Sequence, residues 1–233
     1  RISTGPAFPA KVKRASFSAR TVSAMQPAPI LSPRYGAARA IRNVTIAFLA
    51  LAAPFAAAKA QAEPLNLVAF GDSLTQGYGL PDGDGLVPQL QAWLTAQGAD
   101  VTVMNAGVSG DTTAGGLSRI AWTLTPEVDA IIVTLGGNDL LRGIDPAETR
   151  ANLDGILRET QSRNLPTLLV PMVAPANFGP DYKTEFDALY PAIATAHGAA
   201  ITQPFFRLLA PDATDPGQIA AFMQPDGLHP NKD

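Results

Sequence analysis

Residues 65–80 read LNLVAFGDSLTQGYGL: an apolar run, Leu65 to Phe70, gives way to the polar turn Gly71-Asp72-Ser73. A run apolar at nearly every position, without alternation, suits a strand covered on both faces and hence a parallel sheet. The same grammar recurs along the chain. Val101–Met104, Ala130–Leu135 (AIIVTL), Thr167–Val170 and a weaker Ala199–Ile201 are further buried strands by this criterion. Amphipathic stretches separate them: Leu86–Gln97 closed by Gly98, Thr113–Leu124 stopped before Pro126, and Asp181–His197 closed by Gly198. The clearest helix opens with Asp145-Pro146-Ala147-Glu148, a capping carboxylate followed by proline at the first helical position, and runs to Arg163 before Asn164 and Pro166. Strand–helix alternation repeated in this way predicts an α/β three-layer α/β/α sandwich on a five-stranded parallel sheet with right-handed crossovers.

Composition sets the boundaries of that domain. The chain has 233 residues, 46% hydrophobic and 16% charged, with no cysteine and two histidines, His197 and His229. Disulfides, thiolate metal sites and cysteine nucleophiles are therefore excluded, and a zinc site of several imidazoles is disfavoured. Nine of the 17 Lys/Arg fall in residues 1–62, which carry no carboxylate; the remaining eight face all 20 acidic residues, a net −12 over residues 63–233. So acidic a body is a poor partner for nucleic acid. Within the basic leader, RAIRNVTIAFLALAAPFAAAKAQAEP (39–64) has a positive start at Arg39 and Arg42, an apolar core from Val44 to Ala53, and small-residue cleavage sites at Ala58-Lys59-Ala60 or Ala60-Gln61-Ala62. That is the layout of a secretory signal peptide, too short in its apolar run to span a bilayer. Residues 1–62 are thus expected to be a cleaved targeting segment, residues 63–233 one domain, and the mature chain a periplasmic or secreted monomer without stable membrane insertion.

Sites in parallel α/β sheets form outside the carboxyl ends of the strands. Three predicted strands end there in polar, glycine-rich turns: Gly71-Asp72-Ser73, then Asn105 with Gly107 to Asp111, then Gly136-Gly137-Asn138-Asp139. Ser73 in the first turn has an exposed hydroxyl and an amide pointing outward; taken alone it is more readily an ordinary helix-capping serine. A serine nucleophile needs a base. His197, at the end of a helix, suits a surface or helix-dipole role, whereas His229 sits in the turn-rich QPDGLHP (224–230) with Asp226 three residues earlier, able to hold the imidazole tautomer. Asn138, Gly110 and Ser73 itself offer donors for a developing oxyanion. Apolar walls are expected from Leu140, Leu141 and Ile144 after the Asn138 turn and from Phe178 and Tyr182 in APANFGPDY (174–182), while the Gly- and Asp-rich loop 77–85 looks short of bulk, predicting an open groove.

The segments GDSLTQGYGL, NAGVSGDTTAGG, LGGNDLLRG and DGLHPN, in this order, resemble the SGNH hydrolases, also called GDSL esterases, and within them the bacterial thioesterase I, arylesterase and lysophospholipase branch. RGIDPAETRANLDGIL and APANFGPDY extend the likeness over Leu65 to Asp233. The resemblance implies a flavodoxin-like fold, Ser73 as nucleophile, Gly110 and Asn138 completing the oxyanion hole, Asp226 and His229 completing the triad, no cofactor and no metal. It implies a small ester or thioester as partner, and one further helix after the HPN segment, which the sequence to Asp233 does not include. Gly107-Val108-Ser109-Gly110-Asp111 departs from the GxSxG elbow at its last position, so Ser109 is not the expected nucleophile. The competing readings are a carbohydrate O-deacetylase of the same fold and a non-catalytic binding module.

Overall fold

The computed structural model describes residues 63–209 and 219–233; the expected targeting segment lies outside them. Five strands, β1 (Leu65–Gly71), β2 (Val101–Gly107), β3 (Ala130–Thr134), β4 (Thr167–Leu169) and β5 (Ala200–Ile201), form one all-parallel sheet in the order β2-β1-β3-β4-β5. This is the flavodoxin-like order, with its reversal between β1 and β3. The first crossover runs one way from β1 and the later ones the other way. Right-handed connections therefore put α2 (Leu86–Ala96) on one face, and α3 (Thr113–Thr123), α5 (Pro146–Ser162) and α6 (Pro180–His197) on the other, packed α3 to α5 to α6. Short helices α1 (Ser73–Gln76), α4 (Gly137–Arg142) and α7 (Phe205–Leu209) complete the set, with a 3-10 turn at Ala176–Phe178.

The central strands are buried as their continuous apolar runs require. Val68, Phe70, Ile131, Val133 and Leu169 line the core. On α5 the buried positions Thr149, Leu153, Ile156, Leu157 and Thr160 repeat at helical spacing; on α6 so do Phe186, Leu189, Tyr190, Ile193 and Ala194. Each large apolar side chain so buried stabilises by about 1.5–3 kcal/mol. β2 departs from the expectation of burial on both faces: it is an edge strand with no fully buried residue. It also runs three residues beyond Met104, because Asn105, Ala106 and Gly107 stay paired with Ala69, Phe70 and Gly71.

The caps explain the helix limits. Asp145 Oδ1 accepts from Ala147 N at 2.8 Å, with Pro146 at the first position, as expected of that stretch. Asn164, just past α5, takes a left-handed φ of 56°. His197 ends α6, where its Nε2 meets Asp154 Oδ1 of α5 at 2.7 Å; it is a clasp between two helices, far along the chain from the GDS turn. Among the described residues no helix is long and apolar enough to cross a membrane.

Candidate active site

The carboxyl ends of β1 and β3 part at the point where strand order reverses, and the groove between them holds the polar turns of both strands. Asp72, not Ser73, caps α1: its Oδ1 accepts from Leu74 N at 3.0 Å, which leaves the Ser73 hydroxyl uncommitted to the backbone. α1 comes very close to β2. A Cβ on Gly107 would stand 2.3 Å from Gln76 N and 2.8 Å from Asp72 O, so only glycine lets the Ser73 turn seat there.

The structure brings Ser73, His229 and Asp226 together across 156 residues of sequence. His229 Nε2 lies 2.8 Å from Ser73 Oγ, and His229 Nδ1 lies 2.6 Å from Asp226 Oδ2. Asp226 is built into its own loop: Oδ1 accepts the Leu228 and His229 amides at 2.9 and 3.0 Å. These bonds, the imidazole's foremost, hold its carboxyl down at about 2. Gln224 ties this loop to the serine side, donating Nε2 to Tyr78 O at 2.8 Å and to Pro230 O at 2.9 Å.

Asn138, in α4, and Gly110, in the loop after β2, line the same groove as Ser73 and His229. The amides around Gly110 are spent. Val108 N donates to Gly71 O (3.0 Å), Ser109 N to Gln76 Oε1 (3.1 Å) and Asp111 N to Val108 O (3.1 Å). Gly110 has φ of +81°, a left-handed conformation that side chains resist. Asn138 Nδ2 donates to Asp72 Oδ2 at 3.4 Å. Asp72 is itself almost fully buried, which raises its carboxyl to about 6 against the opposing pull of the Leu74 and Asn138 hydrogen bonds. Asp139, next along α4, is buried too and takes Thr113 N (2.9 Å), Thr113 Oγ1 (2.5 Å) and Thr149 Oγ1 (3.3 Å).

The groove encloses about 640 Å³. Leu140, Leu141 and Phe178 line it as expected, joined by Tyr78, Val173 and Leu228. Ile144 and Tyr182 do not line it. Tyr182 faces inward, its ring 5.0 Å from Phe178 and 5.9 Å from Phe186, with its hydroxyl donating to Ile144 O at 2.9 Å. The pair thus packs α6 against the end of α4, a support for the wall and not its surface. The loop 77–85 is not short of bulk where it matters: Tyr78 lies against His229. The overhanging loop after β4 is clasped at Ala174, whose N donates to Asp187 Oδ1 (2.8 Å) and whose O accepts from Lys183 Nζ (2.7 Å). Among the described residues no three carboxylate or imidazole groups converge into a metal-holding set.

A serine–imidazole–carboxylate chain at the carboxyl rim of a doubly wound sheet, facing a pair of donors, is the layout of an ester hydrolase. The chain belongs to the GDSL-like lipase/acylhydrolase family, whose pattern matches residues 69–233. It is 38% identical over 171 residues to esterase TesA of Pseudomonas aeruginosa, covering 73% of this chain and 82% of that one. It is 35% identical over 174 residues to thioesterase 1/protease 1/lysophospholipase L1 of Escherichia coli K12, covering 72% and 76%. Among solved structures it superposes on AlinE4, an SGNH-hydrolase family esterase, with a TM-score of 0.65 and 45% identity over 72% of this chain and 87% of that one. The chain is accordingly a carboxylic ester hydrolase.

Proposed function

We propose that ester cleavage proceeds through an acyl-enzyme on Ser73, and the observation that carries this is the 2.8 Å approach of His229 Nε2 to Ser73 Oγ. His229 takes the Ser73 proton as Oγ attacks the ester carbonyl carbon; Asp226 steadies the imidazolium through Nδ1. The carbonyl oxygen, now an oxyanion, accepts from the Ser73 and Gly110 amides and from Asn138 Nδ2. Collapse expels the alcohol oxygen, which takes the proton from His229 Nε2. Water then repeats the sequence, giving its proton to His229 and its oxygen to the acyl carbon, and Ser73 leaves reprotonated. No metal or cofactor has a role in these steps.

The apolar lining supports aryl esters and short to medium acyl chains as substrates, since each buried methylene is worth ~0.8 kcal/mol. The names of the E. coli relative support acyl thioesters and lysophospholipids as further substrates. The signal-peptide pattern of residues 39–62 supports action outside the cytoplasm. The test is fluorophosphonate labelling with peptide mapping, beside turnover of an aryl ester. Ser73→Ala should remove both and Ser109→Ala keep both; a label on any other serine overturns the assignment.

A further inference from the structure

The geometry points to Arg142 as a positioning residue that locks the Gly110 donor of the oxyanion hole in register with Asn138. This rests on the serine mechanism proposed above. Arg142 stands four residues after Asn138 in α4, on the same helical face, so both side chains front the Gly110 loop. Asn138 lines the groove; Arg142, one turn further along, donates Nη2 to Gly110 O at 2.9 Å. A single short helix thereby carries one donor and holds the residue that carries the other.

The grip has a physical purpose in the backbone around Gly110. Glycine crosses between positive and negative φ at little cost, so a peptide unit beside it can swing its N–H out of the groove. The unit that bears the Gly110 amide lies between two others. The preceding unit is pinned where Ser109 N donates to Gln76 Oε1; the following one is pinned twice, at Asp111 N by Val108 O and at Gly110 O by Arg142. Without Arg142 the following unit keeps one short local bond, within the same turn, that moves with it. Among the described residues Arg142 alone hydrogen-bonds it to the element that bears Asn138. Asp139 anchors the same helix to the start of α3 through Thr113 N and Oγ1, just beyond the loop. α4 therefore grips the Gly110 loop through Gly110 O and its downstream end through Thr113, and the Arg142 contact is the exposed one that can be cut without opening the core. Preorganised donors contribute to catalysis because they need not reorient as charge develops, so a donor free to swing loses most of its value.

The experiment compares wild type, Arg142→Met, Asn138→Ala and the double variant on an aryl ester. It is read as kcat and KM, affinity for a boronic acid that forms a tetrahedral adduct, inhibition by the carboxylate product, and Tm. Arg142→Met should lower kcat about 10-fold with KM and product inhibition within about 2-fold. Boronate affinity should fall by the same factor as kcat, and the loss should persist in the Asn138→Ala background, because the two residues serve different donors. Arg142→Gln repeats the test should the methionine variant lower Tm. A rise in KM at unchanged kcat would make Arg142 a substrate contact and overturn the proposal; so would unchanged kcat and boronate affinity. Ser73→Ala, run alongside, separates the two levels. If it retains turnover the serine mechanism falls and the Arg142 role with it; if it is inactive while Arg142→Met matches wild type, the Arg142 role alone falls.

Discussion

The ring of Tyr78 lies 4.8 Å from the ring of His229, tilted by 39°, and both line the groove. His229 is thus bounded on three sides: by Asp226 at Nδ1, Ser73 at Nε2 and Tyr78 at its face. Aromatic pairs of this kind are worth about 0.5–1.5 kcal/mol beyond area burial. Tyr78→Ala should therefore lower kcat by about 2- to 10-fold as the imidazole gains freedom, while Tyr78→Phe, which keeps the ring, stays within about 2-fold. Steady-state kinetics on one aryl ester decides it. An alanine variant with wild-type kcat would reduce Tyr78 to a passive wall.

The two partners of Ser73 in the relay, Asp226 and His229, have separable parts. Asp226 is held at about 2 by the hydrogen bonds it accepts, so it is ionised near neutrality and contributes no inflection there. Its contribution to stability is present above the ordinary carboxylate range, near 4, and is lost only as pH falls through about 2. The proton of Ser73 goes instead to the His229 imidazole, which accepts it through Nε2. Asp226→Asn should cost on the order of 10² to 10⁴ in kcat by permitting the wrong tautomer. His197→Ala should leave kcat unchanged, whereas His229→Ala removes activity. Activity surviving in the His229 variant, or lost in the His197 one, would reverse the assignment.

Asp72 titrates in the opposite sense. Burial raises its carboxyl from the ordinary 3.8 to about 6. A raised folded value means stability fully present below pH 4 and lost as pH climbs through 6, about 3 kcal/mol by linkage. Asp72→Asn cannot titrate, so its unfolding free energy should decline less than that of wild type between pH 4 and pH 7. Denaturant titrations at the two pH values read the difference in slope, which is independent of the constant effect of swapping the group. Parallel slopes would mean that Asp72 has an ordinary carboxyl.

Much of this arrangement is written locally in the chain. The strands are legible because continuous apolar runs such as AIIVTL suit only a doubly covered sheet, and QPDGLHP is legible because acid and base share one tight loop. α1 and α4, which carry Ser73 and Asn138, are not: at four and six residues they are too short for any periodicity, and α4 lies between glycines with positive φ. Asp72 and Asp139 stand in polar turns, and nothing local in the sequence marks them as buried. What buries them is supplied from elsewhere, by Asn138, Thr113 and Thr149, whose positions only the fold determines. Ile144 and Tyr182 were expected in the groove because they follow the Asn138 turn and the β4 loop, but adjacency does not set side-chain direction: Tyr182 turns inward to pack on Phe186 and bonds the Ile144 carbonyl. Tyr78 escapes a sequence reading for the converse reason. Its glycine-rich neighbours suggest an empty loop, yet Gln224 pins Tyr78 O and brings the ring onto His229.

The substrate range follows from what lines the groove beyond the reacting atoms. Leu141, Phe178, Val173 and Leu228 are each at least 41% exposed around it. Such walls favour acyl chains and aryl leaving groups through burial, and offer few partners for the hydroxyls of a sugar, which on entry would lose hydration without compensation. Two variants probe this wall from separate elements, Leu141→Ala in α4 and Phe178→Ala in the 3-10 turn. Each should raise KM for a medium-chain aryl ester about 3- to 10-fold, with a smaller effect on the acetyl ester of the same phenol, because only the longer chain reaches the lost surface. kcat should change little, since neither side chain meets the reacting carbonyl. A panel of aryl acetate, aryl hexanoate, acyl-CoA, lysophospholipid and acetylated sugar should rank the hexanoate first by kcat/KM. If the acetylated sugar were preferred over the aryl acetate, the groove would be reading hydroxyls after all, and a carbohydrate O-deacetylase would be the better account of this site.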